Sequence, residues 1–328
     1  MSIEILKEKD FDDFISFIDN HWKKNHIFTK DRNLFEWQYR GQKNFNFIIS
    51  KNNNKIDGML GFIPIKHYDN NSSEKVYWLT MWKVIENSNI NGFDLYIFFK
   101  KFTNFDTLIV VGISDIAYKF YKILRFKTGI MNHYYIQNEN ISDFRIGKFK
   151  TSSKDNKKNT QNNFKIKKIV NINELKTIDD LYYPFKSINY IINRYLNHPT
   201  YKYYLYGVYN NKKLKTVFII RKVYVGNNSC LRIMDIYGKI DKLENINEQF
   251  QNLLQEEQSE YIDLYNYGID ENKLKEIGFK KRENYDVIIP NYFEPYERKN
   301  VEIKYAFKSS KENIVIFKGD SDQDRPNI

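Results

Sequence analysis

The sequence is poor in cysteine and lacks any long apolar run. Its single cysteine, Cys230, excludes an internal disulfide and a metal site built from cysteines. No stretch approaches the roughly 20 consecutive apolar residues of a membrane span, and residues 1–20 are too charged for a secretory signal peptide. No motif of metal ligands or of an activated nucleophile stands out. We therefore expect a soluble, cytoplasmic protein with no bound metal.

Aromatic residues and lysine are abundant. The 328 residues leave room for two domains of ordinary size, and the 41% hydrophobic content is enough for buried cores. The formal net charge of +11 indicates either an anionic partner or lysines spread over a solvated surface. Outside residues 146–163 the lysines do not cluster, which favours the second interpretation.

The stretch from Val76 to Phe126 has the pattern of a βαβα unit. An apolar run of strand length leads into an Asn-rich loop with Gly92, and a helix, a continuously apolar strand and a second helix follow. The first helix carries apolar residues at helical spacing, at Leu95, Phe98, Phe99 and Phe102. The second does so at Ala117, Phe120, Tyr121 and Leu124. Such a unit points a helix N-terminus at the crevice between neighbouring strands.

This stretch resembles the core of the GNAT family of acyl-CoA N-acyltransferases. In that family a helix of the form Ala-x-x-x-Tyr-x-x-x-Gly-Phe follows the second strand, and Ala117, Tyr121 and Phe126 match it, with Arg125 in place of the glycine. The resemblance implies a mixed α/β fold and the use of acetyl-CoA or another acyl-CoA as co-substrate.

The loop before the first helix departs from the family pattern Gln/Arg-x-x-Gly-x-Gly/Ala. Only Gly92 survives of the two small residues, Asn89 replaces the Gln or Arg, and Asp94 stands where a small residue belongs. A carboxylate in the first turn suits the helix dipole but competes with a phosphate for it. The residues that the resemblance assigns to the cofactor are Trp82, Lys83, Val84, Asn89, Asn91, Gly92, Phe93 and Ser114.

The same order of elements returns after an offset of about 155 residues. The segment 274–280 repeats the helix end 122–127, and Leu231–Tyr237 repeats the strand before the loop. We therefore predict two tandem GNAT-like domains, residues 1–145 and 164–328, joined by the polar linker 146–163. No glycine lies between Lys239 and Gln249, so the second loop is not expected to cradle a phosphate.

Three residues are candidates for the chemistry of acyl transfer. The family places a tyrosine at the position of Tyr121 near the cofactor sulfur, where it can act as a general acid, although Tyr121 also fits a core-facing stripe. Glu86 follows the strand before the loop and His26 lies between the first two helices, so either could serve as the base. A solvated loop carboxylate is the simpler interpretation of Glu86.

Two further segments resemble tandem GNAT-like enzymes that modify amino sugars for bacterial surface polysaccharides. They are residues 194–199 and the acidic terminal segment 319–327. Their implied acceptor-binding residues are Arg194, Tyr195, Asp320, Asp322, Asp324 and Arg325. The D-x-D-x-D spacing is not that of a calcium loop, because it lacks the glycine at the sixth place and a closing glutamate. A disordered acidic tail is the alternative, and in either case we expect removal of residues 319–328 to leave the fold intact.

The leading hypothesis is an N-acyltransferase that moves an acyl group from acyl-CoA to the amine of a nucleotide-linked amino sugar. An aminoacyl transferase using a charged carrier such as tRNA is the alternative, since the net charge and the altered loop would suit it. A non-catalytic GNAT-like binding protein is the third.

Overall fold

The structure is a computed structural model that describes residues 2–149, 163–283 and 286–326. The chain builds two mixed β-sheets with helices on their faces, as the sequence predicts. The strands are β1 (Ser2–Ile5), β2 (Phe47–Asn52), β3 (Lys55–Pro64), β4 (Val76–Val84), β5 (Thr107–Val111), β6 (Lys127–Ile130), β7 (Asn132–Gln137), β8 (Phe164–Lys168), β9 (Tyr203–Asn210), β10 (Lys213–Val225), β11 (Asn228–Tyr237), β12 (Tyr261–Tyr267), β13 (Lys280–Lys281), β14 (Lys304–Ser309) and β15 (Ile316–Phe317).

Seven α-helices accompany the strands in the described part of the chain. They are α1 (Phe11–Phe17), α2 (Arg32–Tyr39), α3 (Gly92–Thr103), α4 (Asp115–Ile123), α5 (Ile188–Ile191), α6 (Asn247–Glu256) and α7 (Glu271–Glu276). Side-chain caps begin several of them, because a helix leaves its first amides without partners. Asp31 accepts from the amide of Leu34 at 2.9 Å, and Ser187 accepts from that of Tyr190 at 3.2 Å.

The two sheets exchange one strand each. The first has the order β1-β2-β3-β4-β5-β14-β6, and the second has β8-β9-β10-β11-β12-β7-β13, with β15 also pairing β12. Strand β7 thus pairs with β12 and β13 of the second sheet, while β14 inserts between β5 and β6 of the first. The orders are equivalent position by position, which is the repeat that the sequence predicts.

The sheets do not follow the predicted domain boundaries, because strands cross them in both directions. Of the predicted linker, Ile146 is fully buried and its amide donates to the carboxylate of Glu260 at 2.9 Å, whereas residues 150–162 lie outside the described residues. The boundaries at 145 and 164 therefore stay a prediction about domains.

The helices and the core divide the molecule into layers. Helices α3 and α4 cover one face of the first sheet over an apolar cluster that includes Leu60, Phe99 and Tyr121. Helices α6 and α7 cover the equivalent face of the second sheet. The remaining faces of both sheets share one large cluster, which spans Phe47 and Met234. The two halves therefore fold around a common centre. No helix in the described segments is long and apolar enough to cross a membrane.

The turn after α4 shows how the repeat has diverged. Gly278 follows α7 with φ +107°, a backbone conformation that favours glycine. Arg125 occupies the equivalent place after α4 and also has a positive φ, of +59°. The departure from the family's Gly-Phe pattern therefore leaves the turn intact and places a non-glycine residue in the left-handed region, which costs about 1 kcal/mol.

Candidate active site

Strands β4 and β5 part from each other at the centre of the first sheet. Their parallel pairing runs from Val76↔Thr107 to Leu79↔Val110 and stops there, while β4 continues to Val84. Between Leu79 and Trp82 the register of β4 with β3 shifts by one residue, which makes a β-bulge opposite Gly61. A Cβ at Gly61 would collide with Thr80 Oγ1, so the bulge requires this glycine. Bulges next to a site re-aim side chains or end the pairing of a strand.

The N-terminus of α3, beside this opening, is closed by its own side chains. Asn91 Oδ1 accepts from the amides of Phe93 and Asp94 at 2.9 and 3.2 Å. In return Asp94 Oδ2 accepts from the amide of Asn91 at 2.8 Å. This capping box uses three of the amides that would face a pyrophosphate.

The other predicted cofactor residues surround the same opening. Gly92 lies under the indole of Trp82, because a Cβ there would approach Trp82 Nε1 to 3.0 Å. Lys83 and Val84 continue the ladder with β3, opposite Met59 and Gly58. The remaining three lie on the loop, on α3 and before α4: Asn89 and Phe93 are exposed, and Ser114 caps α4 through the amide of Ala117 at 3.3 Å. Their cofactor roles stay a prediction.

Tyr121 lies beneath this opening, packed among aromatic rings. Its ring centroid is 5.0 Å from that of Phe126, 5.7 Å from Phe120 and 6.1 Å from Trp82. Only 1% of the residue is exposed, and this burial raises the pKa of its hydroxyl above the ordinary value. The phenol therefore keeps its proton at neutral pH, as a general acid requires.

The predicted bases differ in their surroundings. His26 is 3% exposed, its Nδ1 accepts from the amide of Phe28 at 3.2 Å, and burial, with Arg325 and Lys23 adding to it, lowers its pKa to about 3. It therefore caps the turn 27–29 as a neutral ring. Glu86 is exposed, past the end of β4. Neither assignment goes beyond a prediction.

The C-terminal segment threads the openings of both sheets. In the second sheet β15 pairs with Asn266 and Tyr267 of β12, and the amide of Gly319 donates to the carbonyl of Met234 on β11 at 2.8 Å. In the first sheet the hydroxyl of Ser321 donates to the carbonyl of Leu79 at 3.3 Å.

The contact with the first sheet continues at Gln323. Its Nε2 donates to the carbonyl of Val111 at 3.0 Å, and its side chain fills the space in front of Gly112, whose φ is +74°. Within the described residues, main chain fills the opening of the second sheet, whereas the side chains of Ser321 and Gln323 bridge that of the first.

The predicted acceptor residues of this segment are buried in ion pairs. Lys186 Nζ lies 2.6 Å from Asp235 Oδ2 and 2.8 Å from Asp320 Oδ1, and the hydroxyl of Tyr195 donates to Asp235 at 2.6 Å. Asp320 and Tyr195 are fully buried. Both side chains therefore hold the segment in place, and neither reaches an open surface. The interpretation of a disordered tail is wrong, because residues 314–322 are buried throughout.

The other four acceptor candidates are held by contacts with both halves of the chain. Asp322 pairs with Arg325, whose guanidinium lies over the ring of Phe28 at 5.6 Å. Asp324 pairs with Arg221 at 3.2 Å. Arg194 is 2% exposed and donates through Nη2 to the carbonyl of Gly319 at 3.1 Å. The structure thus brings the two predicted segments, 194–199 and 319–326, together.

Several buried polar groups lie near the bulge. The hydroxyl of Tyr39 lies close to the side chains of Thr80 and Gln38, which affect its pKa, while the hydroxyl of Tyr68 and the Nε1 of Trp78 find no hydrogen-bond partner among the described residues. The pKa of Tyr39 is raised, first by burial and then by the charge of Asp322, which therefore lies close by. Buried polar atoms without partners indicate a place for water or a ligand.

Sequence reasoning missed Lys186 and Arg221, the partners of the terminal carboxylates, and it missed Asp235, which shares Lys186, and the buried Lys318. Isolated charged residues in strands or irregular segments carry no signal of burial in a chain with 52 Lys and Arg residues. Only the alternation along β10 and β11 hints that Arg221 and Arg232 face the same way as their apolar neighbours.

No protein-family model and no curated protein matches the sequence. Solved structures do match. A GCN5-related N-acetyltransferase from Anabaena variabilis aligns over 94% of this chain and 72% of its own, with 12% identity and a TM-score of 0.56. The fold is that of the GNAT acetyltransferases.

Two more solved structures share the whole arrangement. A candidate acetyltransferase from Pyrococcus horikoshii aligns over 95% of this chain and 90% of its own, with 12% identity and a TM-score of 0.52. A protein of unknown function from Enterococcus faecalis aligns over 92% of this chain and 72% of its own, with 8% identity and a TM-score of 0.55. Because these alignments span more than nine-tenths of the chain, the likeness covers both halves.

Proposed function

We propose that this protein is an N-acyltransferase that uses acyl-CoA as donor and binds it at the first sheet. The observation that carries the proposal is the opening between β4 and β5, with a bulge in β4 on one side and Tyr121 beneath it. The second sheet offers no equivalent, because Gly319 and β15 fill its opening.

The chain's own groups can serve each part of the transfer. The amine attacks the thioester carbonyl carbon, and backbone amides at the bulge stabilise the oxyanion that forms. As the C–S bond breaks, the thiolate takes the proton of the Tyr121 hydroxyl. The amine gives up its proton to a base, for which the exposed carboxylate of Glu86 is a better candidate than His26, whose pKa is about 3.

The N-terminus of α3 is less suited to the donor's pyrophosphate than the opening between β4 and β5 is to its thioester. The capping box occupies the amides of Asn91, Phe93 and Asp94, and the carboxylate of Asp94 repels a phosphate. We infer that the loop binds the pyrophosphate weakly and that the strands supply most of the donor's affinity.

For the acceptor we propose the amine of a nucleotide-linked amino sugar, placed between the two halves. The charge of Asp322 acts on the pKa of both Tyr39 and Tyr68, so this carboxylate lies near those buried hydroxyls and can hold a protonated amine there. Support for the sugar comes from the resemblance of segments 194–199 and 319–327 to enzymes of that kind.

A thiol-release assay tests the proposal. Acetyl-CoA and longer acyl-CoAs are supplied with a panel of amines that includes nucleotide-linked amino sugars. We expect release with at least one pair, and Tyr121→Phe should lower kcat more than it changes KM because its proton is needed only in the transition state. Tyr118→Phe, a more exposed tyrosine on the same helix, is the matched control. No release and no thermal shift with any acyl-CoA would refute the proposal.

The capping box also favours a second candidate, an aminoacyl transferase that uses charged tRNA. Such a donor places no pyrophosphate at α3, so the occupied amides would not hinder it. Binding of tRNA that weakens steeply with salt, in the absence of acyl-CoA binding, would decide for this candidate.

A further inference from the structure

The tail carboxylate Asp324 lies among buried cations that outnumber the carboxylates. Its pKa is lowered although burial acts to raise it, because Arg221, Lys318 and Arg194 lie close enough to favour the charged form. Asp324 pairs with Arg221 at 3.2 Å, and the hydroxyl of Tyr203 donates to it. Three cations thus surround one carboxylate.

These cations have unused donors. Among the described residues Arg194 Nε and Nη1 and Arg221 Nε find no hydrogen-bond partner. Lys318 is 3% exposed, and its ammonium lies 5.8 Å from the centroid of the Tyr265 ring. Water could accept hydrogen bonds from these donors, but it would not neutralise a surplus positive charge, and uncompensated buried charge is strongly unfavourable.

A neighbouring arginine in the same sheet has its charge and its donors fully satisfied. Arg232 lies directly opposite Arg221 on the β10–β11 ladder. It makes a two-pronged contact with Asp263, at 3.1 and 2.9 Å, and donates to the carbonyls of Pro290 and Asn291. Arg221 has one ion pair only, so the surplus lies on the side of Arg221 and Lys318.

We propose that Lys318, Arg221 and Arg194 form a binding site for a dianionic phosphate or diphosphate group between the two halves. A surplus of positive charge suits an anionic ligand, and guanidinium and ammonium donors suit phosphate oxygens. Tyr201 covers the site: its ring lies over the Arg221 guanidinium at 3.9 Å, and it is only partly buried. The group therefore enters beside Tyr201.

This site extends the proposed function. It rests on that function in one respect: the ligand is identified as the diphosphate of a nucleotide-linked acceptor. In that role the site holds the part of the acceptor remote from the amine. The burial of three charged side chains with one carboxylate is then a loss of stability retained for binding.

Calorimetric titration of the full chain with inorganic pyrophosphate tests the site. It is done at about pH 6, where Lys318 carries its proton. The variants are Lys318→Met, Arg221→Gln, and Lys165→Met as a control of equal charge on the exposed edge strand β8. We expect the wild type and Lys165→Met to bind alike, and the other two variants to bind at least about tenfold more weakly. Acetate, a monoanion, should not bind measurably.

Two results would overturn the site: no pyrophosphate binding by the wild type at millimolar concentration, or equal binding by Lys318→Met. Arg221→Gln decides if Lys318→Met fails to fold. Acyl-CoA turnover is measured on the same preparations. Pyrophosphate binding that depends on Lys318, without any acyl-CoA turnover, would refute the acyltransferase and leave the anion site standing. Turnover without pyrophosphate binding would refute the anion site and leave the acyltransferase standing.

Discussion

The hydroxyl of Ser321 donates to the carbonyl of Leu79, the last residue of β4 that pairs with β5, at 3.3 Å. One residue pair farther along, Gln323 donates to Val111 of β5 at 3.0 Å. The terminal segment therefore spans the opening of the first sheet from one strand to the other. It forms one wall of the space in which we place the acceptor.

Truncation at residue 319 tests whether this wall is also structural. The sequence alone predicts an intact fold, whereas the structure favours a loss of stability, since residues 314–322 are buried and Asp320 pairs with Lys186. We expect a chain ending at residue 318 to lose cooperative thermal unfolding or to melt at a much lower temperature. Ser321→Ala, which removes one hydrogen bond, should cost about 1 kcal/mol. A truncated chain that melts like the wild type would contradict this role.

Lys186 holds two buried carboxylates, Asp235 and Asp320, at 2.6 and 2.8 Å. Lys186→Met leaves both uncompensated, and we expect it to lower the free energy of unfolding in urea by about 3–5 kcal/mol. Adding Asp320→Asn to it should restore part of the loss. Lys176→Met, at an exposed position, should be nearly neutral. Equal stability of the two single variants would show that the buried ion pairs are absent in solution.

The buried amine of Lys318 predicts a specific pH dependence of stability. Its pKa is lowered from 10.5 to about 7, mainly by burial and also by Arg232 and Arg221, while Asp324 and Asp263 act to raise it. Between these pH values the unfolded chain binds a proton that the native chain does not. The free energy of unfolding therefore gains up to about 1.4 kcal/mol per pH unit from this group as the pH rises.

Urea unfolding of wild type and Lys318→Met, from about pH 6 to pH 10, measures that contribution. We expect the methionine variant to be the more stable at pH 6, because it buries no unpaired charge, and the difference to shrink as the pH rises from 7. The Lys165→Met control should run parallel to the wild type. Parallel curves for Lys318→Met would mean that the amine is solvated.

Asp94→Asn tests the altered loop at α3. The change removes the charge that faces a pyrophosphate and keeps an oxygen that can accept from the amide of Asn91. We expect acyl-CoA to bind about two- to fivefold more tightly and the protein to lose about 0.3–1 kcal/mol of stability. Glu248→Gln, in the first turn of the equivalent helix α6, should leave acyl-CoA binding unchanged. Weaker acyl-CoA binding by Asp94→Asn would contradict the competition.

The repeat could be predicted from the sequence because residue spacing within each element and the residues at each turn indicate it. Helix α4 has its apolar residues at helical spacing, β5 is apolar throughout, and Gly278 marks the end of α7 as Arg125 marks that of α4. Each of these signals depends on neighbours in the chain.

The strand exchange and the path of the terminal segment could not be predicted in this way. Nothing in Lys304–Ser309 tells β14 to pair with β5 of the other half, because pairing partners are set by the whole fold. Asp320 and Asp324 look like solvated residues until Lys186 and Arg221, more than 100 positions earlier, are placed beside them. The acceptor side of the site therefore became visible only in the structure.

Hydrogen exchange with and without saturating acetyl-CoA tests the central claim most directly. If the first sheet binds the donor, amides of residues 80–84 and 88–94 should gain protection, while the equivalent residues 233–247 of the second half should exchange unchanged. Protection confined to residues 233–247, or no protection anywhere in the chain, would contradict the account.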